Sequence, residues 1–323
     1  MSCRSVYLGI DTSNYTTSAA ICDTEGRVLA NLKVPLPVRE GECGLRQSDA
    51  VFAHTKNMPI LMAKCREALG DAYTPIAVGV SATPRDAEGS YMPCFLAGQA
   101  AASAICAASD IPLYTFSHQN GHIRAALYSS GRQEELMGKP FCAFHVSGGT
   151  TEVLYVTPDE KRTFCVEQVG GTADINAGQA VDRVGVMMGL RFPCGSALEE
   201  LAGQNTKKVP KPRICVRDGV CNLSGLENLA GKLYRESGDA SLTAAYVLAF
   251  IGDTLTRMTE HLLEKYPNTP VLYAGGVMSN RYLQSCLRNA CDASFAEPSF
   301  SADNAAGIAL LCRERHERAE GRA

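Results

Sequence analysis

Ser5-Val-Tyr-Leu-Gly-Ile-Asp-Thr-Ser13 is the stretch on which the fold turns. An apolar run of strand length ends in small polar residues, and Thr17-Ser-Ala-Ala-Ile-Cys22 offers a second strand before a turn at Thr24-Glu-Gly26. The expected unit is a hairpin whose connection carries Asp11, Thr12 and Ser13. The same grammar returns at Phe141-Cys-Ala-Phe-His-Val-Ser-Gly-Gly-Thr-Thr-Glu-Val-Leu-Tyr-Val156, where an apolar strand again runs into small residues and a second strand follows. The chain therefore reads as a duplication of architecture without duplication of sequence.

A third turn follows a strand at Pro270-Val-Leu-Tyr-Ala-Gly-Gly-Val-Met-Ser-Asn-Arg281 and leads into a helical segment beginning at Tyr282. Glycine there lets backbone approach a ligand closely. Ahead of it, Val247, Phe250, Ile251, Leu255, Met258 and Leu262 recur at helical spacing, predicting a helix over Ser241–Tyr266 with a serine cap. Gly98-Gln-Ala-Ala-Ala-Ser-Ala104 and Asn304-Ala-Ala-Gly-Ile-Ala309 are poor in bulk, which suits helices crossing closely at a lobe interface and equally suits tight core packing. Turns near residues 11 and 147, a Gly-Gly turn near 275 and two small-residue helices form the ordered signal set of the actin, sugar-kinase and Hsp70-like superfamily. The expected fold is thus α/β, a two-lobed actin-like ATPase (ASKHA) fold with duplicated mixed-sheet domains. Residues 1–137 with the C-terminal helix 302–323 would make the first lobe, and 138–301 the second, nucleotide-binding one. Neither GxGxxG nor GxxxxGK[ST] occurs, which removes the main support for Rossmann and P-loop readings.

Composition agrees with two packed lobes. The chain has 323 residues, 46% hydrophobic, and single cores stop growing near about 250 to 300 residues. The net charge of −3 gives no global basic field, so nucleic-acid contact must be local. Lys207, Lys208, Lys211, Arg213 and Arg217 make the one basic run suited to phosphates, or else a solvated loop. Fourteen cysteines stand singly, with no CxxC pair and no secretory leader ahead of Val6. Reduced thiols in a soluble cytoplasmic protein are expected. No apolar run approaches the roughly 20 residues that span a bilayer.

His118-Gln-Asn-Gly-His122 places two imidazoles four residues apart, which on a helix aims both at one point and suits a divalent metal, although such pairs are often structural. Gln119 cannot serve as the glutamate base of an HExxH protease, so a peptidase of that type is excluded. His145 is a polar residue inside an apolar strand and needs a partner. Asp303 opens a small-residue helix, where a carboxylate caps or ligates.

Eight collinear motifs make the chain resemble the TsaD family, threonylcarbamoyl-transferring proteins once called glycoproteases, over nearly its whole length. They are Gly9-Ile-Asp-Thr-Ser, His118-Gln-Asn-Gly-His, Val146-Ser-Gly-Gly-Thr-Thr, Ala177-Gly-Gln-Ala-Val-Asp-Arg, Gly189-Leu-Arg-Phe-Pro-Cys-Gly, Leu223-Ser-Gly-Leu, Ala274-Gly-Gly-Val-Met-Ser-Asn-Arg and Ala302-Asp-Asn-Ala-Ala. The resemblance implies that His118, His122 and Asp303 hold a metal, with His145 standing where some members have a tyrosine ligand. Nitrogen donors favour iron or zinc over magnesium. It further implies adenine-nucleotide or threonylcarbamoyl-adenylate contacts at Ser147, Gly148, Gly149, Thr150, Gly178, Asp182, Gly275, Gly276 and Asn280. Asp11 is then the candidate for proton handling or water ordering, or a cap of the Thr12-Ser13 turn.

The implied reaction is transfer of a threonylcarbamoyl group from its adenylate to N6 of adenine in tRNA, with partner proteins that make the donor and support the tRNA. The chain departs from the family pattern at Tyr15-Thr16, where acidic residues are usual, and at 83–93, which replaces a Gly-Pro-Gly segment. It also has Gln179 for glutamate and Thr150 for histidine or asparagine. Two alternatives follow: a carbamoyltransferase with another small-molecule or protein acceptor, and a non-catalytic nucleotide-binding paralogue that partners the authentic transferase.

Overall fold

The computed structural model describes residues 4–13, 15–37, 45–301 and 303–321. Contacts divide these into two units, the first comprising the segments up to Ser129, Asp159–Cys165 and from Ser299 onward, the second Ser130–Pro158 and Val166–Pro298.

The first unit is built on a five-stranded sheet of β1 (Arg4–Asp11), β2 (Thr16–Asp23), β3 (Val28–Pro35), β4 (Tyr73–Thr83) and β5 (Leu113–Ser117), in the order β3-β2-β1-β4-β5. β1 pairs antiparallel with β2 and parallel with β4, so the predicted hairpin forms the centre of the sheet. Its helices are α1 (Gln47–Leu69), α2 (Phe95–Ser109), α3 (His118–Ser129) and, at the far end of the chain, a last helix over Ala306–Ala319. β1 is buried on both faces, which is why it reads as a continuous apolar run without alternation.

The second unit repeats the pattern. After the short α4 (Gln133–Leu136) come β6 (Phe141–Val146), β7 (Thr151–Asp159), β8 (Thr163–Thr172), α5 (Ala177–Met187), α6 (Gly195–Gly203), β9 (Cys215–Arg217), β10 (Val220–Asn222), α7 (Gly225–Ser237), α8 (Ala240–Lys265), β11 (Val271–Ala274), α9 (Arg281–Ala290) and β12 (Ala293–Phe295). The strand order is β12-β11-β6-β7-β8-β10-β9. Its segment β8-β7-β6-β11-β12 matches β3-β2-β1-β4-β5 strand for strand, with β6/β7 antiparallel and β6/β11 parallel. A short α10 (Pro298–Ser301) precedes the last helix, α11 (Ala306–Ala319). Among the described residues no helix is long and apolar enough to cross a membrane, and the twelve described cysteines are free.

The expected start of α8 changes. α8 begins one residue earlier than predicted, and its cap is Asp239, whose carboxylate accepts from Leu242 N at 3.0 Å. Ser241 instead donates its hydroxyl to that carboxylate. Gln179, the departure from glutamate, completes a reciprocal cap at α5 by accepting from Asn176 N at 3.1 Å, a task amide and carboxylate perform alike.

Small residues set how α11 lies in the first unit. Gly9 and Gly79 are register partners on the parallel β1/β4 pair. A methyl on Gly9 would come within 2.4 Å of Ala309 N, and one on Gly79 within 2.8 Å of Cys312 Cβ. The two glycines open a lane in which α11 lies flat on the sheet. Gly307 of α11 in turn meets Gly121 of α3. The Asn304–Ala309 stretch thus serves close packing inside one unit.

In the second unit, Asp174 joins the lead-in to α5 to the start of α7. Its carboxylate accepts from Ile175 N (2.7 Å), Leu223 N (2.8 Å), Ser224 N (3.0 Å) and Ser224 Oγ (2.6 Å). Burial alone would raise its pKa; the hydrogen bonds from Leu223 and Ser224 overrule that and hold the carboxyl well below the ordinary range. A depressed folded pKa contributes stability above the unfolded value, near about 4, that is lost as pH falls through the folded one. Asp174→Asn should therefore lower the melting temperature at pH 7 and flatten its decline below about pH 4, measured by calorimetry across that range.

Candidate metal centre

β1 and β4 end side by side, with Ile10 paired to Val80, and β5 ends beside β4 with Ser117 opposite Thr83. Asp11, Ser81 and His118 are the next residues along these strand ends, so topology brings them together from three places in the sequence. Asp11 is fully buried. One carboxylate oxygen accepts from Ser13 Oγ (2.5 Å) and Ser13 N (3.3 Å). The other accepts from Ser81 Oγ and lies 3.0 Å from His118 Nδ1. Burial would push this carboxyl up, but the His118 ring, by charge and hydrogen bond, and the two serine hydroxyls hold it well below the usual range.

α3 starts at His118, so the four-residue spacing brings His118 and His122 onto one helix face with ring centroids 4.3 Å apart. Asp303 meets them from the other end of the chain. Its Oδ1 is 3.4 Å from His122 Nε2 and 3.8 Å from His118 Nε2. Asp303 does not cap α11, because Asn304 Oδ1 accepts from Ala306 N instead. Burial raises the Asp303 pKa, and the His122 hydrogen bond with the charge of both rings more than offsets it, keeping the carboxylate ionised. Among the described residues, His118, His122 and Asp303 offer ligand atoms within 4.8 Å of one another. Two imidazoles and a carboxylate around one point are a donor set for iron, zinc or manganese, and three protein ligands leave positions open. The residues present fit a divalent cation.

Local spacing could not have revealed Ser81 and Lys33 as neighbours of this cluster, nor the ties that Gln119 and Asn120 make. Ser81 is separated from Asp11 by 70 positions. Lys33 donates to Ser299 O at 3.1 Å, and burial lowers its pKa against the opposing pull of Asp303. Asn120, between the two histidines, donates to Asp86 Oδ2 at 2.8 Å, and Gln119 N donates to Pro84 O at 3.1 Å. The altered 83–93 segment is thereby fastened to the first turn of α3.

The remaining candidates lie in the second unit. His145 faces Glu152 across β6/β7, its Nδ1 3.9 Å from Glu152 Oε1. Ser147 N donates to Thr150 O (2.8 Å), while Ser147 Oγ accepts from Gly149 N (3.3 Å) and Thr150 N (3.1 Å), closing the expected tight turn. Gly148 and Gly149 have open space where side chains would be, and a methyl on Gly178 would strike Gly148 N at 2.7 Å. The turn and the α5 N-terminus are in contact because residue 178 is glycine. Gly275, at φ +103°, sits against Val146 O, and Gly276 is open. Asp182 accepts from Cys194 N at 2.8 Å and Asn280 caps α9 through Leu283 N at 3.0 Å, so both have local structural work. In the basic run, Lys207 pairs with Asp239 at 2.7 Å, and Lys208, Lys211, Arg213 and Arg217 are exposed.

Two mixed sheets of matching strand order define the class: an α/β protein of the two-lobed actin-like ATPase fold. Solved structures share it. Full-length HypF in its phosphate- and nucleotide-bound form matches with a TM-score of 0.58 and 12% identity over 97% of this chain and 55% of that one. A ROK family glucokinase from Streptomyces griseus in complex with glucose and AMPPNP gives 0.53 and 13% over 97% and 99%. Within that class the sequence is more specific. The family model described as TsaD, tRNA N6-adenosine threonylcarbamoyltransferase, matches residues 48–310. The protein of that name from Streptococcus thermophilus (strain CNRZ 1066) is 30% identical, covering 96% of this chain and 93% of its own. The one from Bacillus subtilis (strain 168) is also 30% identical, over 87% and 80%. The chain belongs to the TsaD family.

Proposed function

We propose that this protein transfers a threonylcarbamoyl group from threonylcarbamoyl-adenylate to N6 of an adenine in tRNA. The observation that carries the reading is the convergence of His118, His122 and Asp303 in a chain of this family. In the transfer, the adenine nitrogen forms a bond to the carbamoyl carbon, the bond from that carbon to the phosphate oxygen breaks, and AMP departs. The N6 proton passes to solvent. His118, His122 and Asp303 would hold a divalent cation, for which iron or zinc suits their donor atoms, and the chemistry it would supply is Lewis-acid polarisation of the carbamoyl oxygen. Asp303, kept ionised, supplies the negative charge of the ligand set.

In the second unit, the 147–150 turn and the α5 N-terminus suit a phosphate: open space over Gly148 and Gly149 and the positive end of a helix dipole. Exposed Lys208, Lys211, Arg213 and Arg217 suit tRNA phosphates, with partner proteins sharing the load because the whole chain has no basic field.

The acceptor is tested with adenylate labelled in its threonyl carbons, supplied with tRNA, small amines and the partner proteins of a relative. Label should appear in the tRNA fraction. Label carried only by a small-molecule or protein acceptor would replace this reading, and the 83–93 segment fastened to α3 would then be the place to look for the cause.

A further inference from the structure

The geometry assigns Asp11 to a positioning role: it fixes the ring orientation and tautomer of His118, making that histidine a ligand, and does not itself exchange protons with substrate. The inference rests on the metal reading above. Asp11 has no exposed surface, and both its oxygens are already engaged, by Ser13 Oγ and N on one and by Ser81 Oγ and His118 Nδ1 on the other. A carboxylate with four donors and no open side has no free atom with which to reach a substrate.

An ionised carboxylate can only accept hydrogen bonds, so the facing His118 Nδ1 carries the hydrogen. The lone pair of a neutral ring is then on Nε2, the atom that lies 3.8 Å from Asp303 Oδ1. In the charged ring that nitrogen carries a second hydrogen and pairs with Asp303; a cation entering the site takes the place of that hydrogen. Asp11 thus prepares the site for a cation by choosing which nitrogen faces it. Such outer partners of a ligating histidine commonly control its orientation and basicity. Ser13 and Ser81 form the layer behind, holding the Asp11 carboxyl group turned toward the ring. The device is written in the topology: β1, β4 and β5 deliver Asp11, Ser81 and His118 from adjacent strand ends.

Asp11→Asn keeps the shape but can turn an N–H toward Nδ1, which puts the ring hydrogen on Nε2 and blocks the ligand position. Cobalt(II) binding, followed by optical titration of the full chain, should weaken about 10- to 100-fold in Asp11→Asn and by a smaller factor in Ser81→Ala. At saturating metal, the pH–rate profile of Asp11→Asn should keep both limbs of the wild type. Wild-type cobalt affinity in Asp11→Asn together with loss of one limb would overturn the inference and make Asp11 the proton carrier. Should Asp11→Asn fail to fold, Ser81→Ala decides, and unchanged cobalt affinity there overturns it equally. Failure of the underlying metal reading looks different, because wild-type protein itself would then take up no cobalt.

Discussion

The His118→Ala, His122→Ala double variant should retain only background iron or zinc, against about one atom per chain in wild type, and should lose at least about a hundredfold in transfer activity. The two rings supply two of the three converging donors, and Asp303 alone is left. The two histidines are not equivalent in their cost to the fold. His118 also donates to buried Asp11, so its removal strips a hydrogen bond from a carboxylate that cannot reach water, costing about 1 to 3 kcal/mol. His122 faces Asp303 at 3.4 Å, so His122→Ala separates metal loss from the destabilisation centred on Asp11. Elemental analysis and thermal melting of the single and double variants make the comparison. Equal metal content in wild type and double variant would remove the site.

Gly307→Ala should be the most damaging single methyl. Its Cβ would lie 1.8 Å from Gly121 O and 2.9 Å from Ala125 N, and those are backbone atoms of α3, not side chains that can turn away. Either α11 lifts from its lane over Gly9 and Gly79 or α3 moves. Overpacking of this kind costs about 3 to 5 kcal/mol, at the upper end for single substitutions, and should lower the melting temperature by roughly 10 °C. The consequence reaches the chemistry, because α3 carries His118 and His122 while Asp303 lies just ahead of α11. Metal affinity should fall with stability. Gly203→Ala is the control: exposed at the last position of α6, with nothing within 4 Å of the added carbon, it should leave melting unchanged or slightly raised. If Gly307→Ala melts like Gly203→Ala, the close crossing of α3 and α11 is not as described.

Much of this was legible in the sequence wherever the signal is local. β1 with β2 and β6 with β7 announce themselves as apolar runs broken by small residues, and the four-residue histidine spacing needs only a helix to become a pair of ligands. α8 is evident from its period, yet its cap was misplaced by two residues because Asp239 and Ser241 are both good capping types and their hydrogen-bonded order is invisible in one dimension. β3 and β8 carry half-exposed, mixed residues and so leave a weak pattern. The environment of Asp11 was not legible at all. It depends on Gly9 standing opposite Gly79 and on Ser117 opposite Thr83, registers that follow from strand pairing across tens of residues. For the same reason Asp182 and Asn280, which motif matching implies as nucleotide contacts, also hold a loop and cap a helix.

One measurement bears most directly on the whole account: nucleoside analysis by mass spectrometry of tRNA incubated with metal-loaded protein, threonylcarbamoyl-adenylate and partner proteins. Wild-type protein should yield N6-threonylcarbamoyladenosine, and the double histidine variant none. Protein that binds metal and adenylate yet leaves every adenine in tRNA unmodified would contradict it.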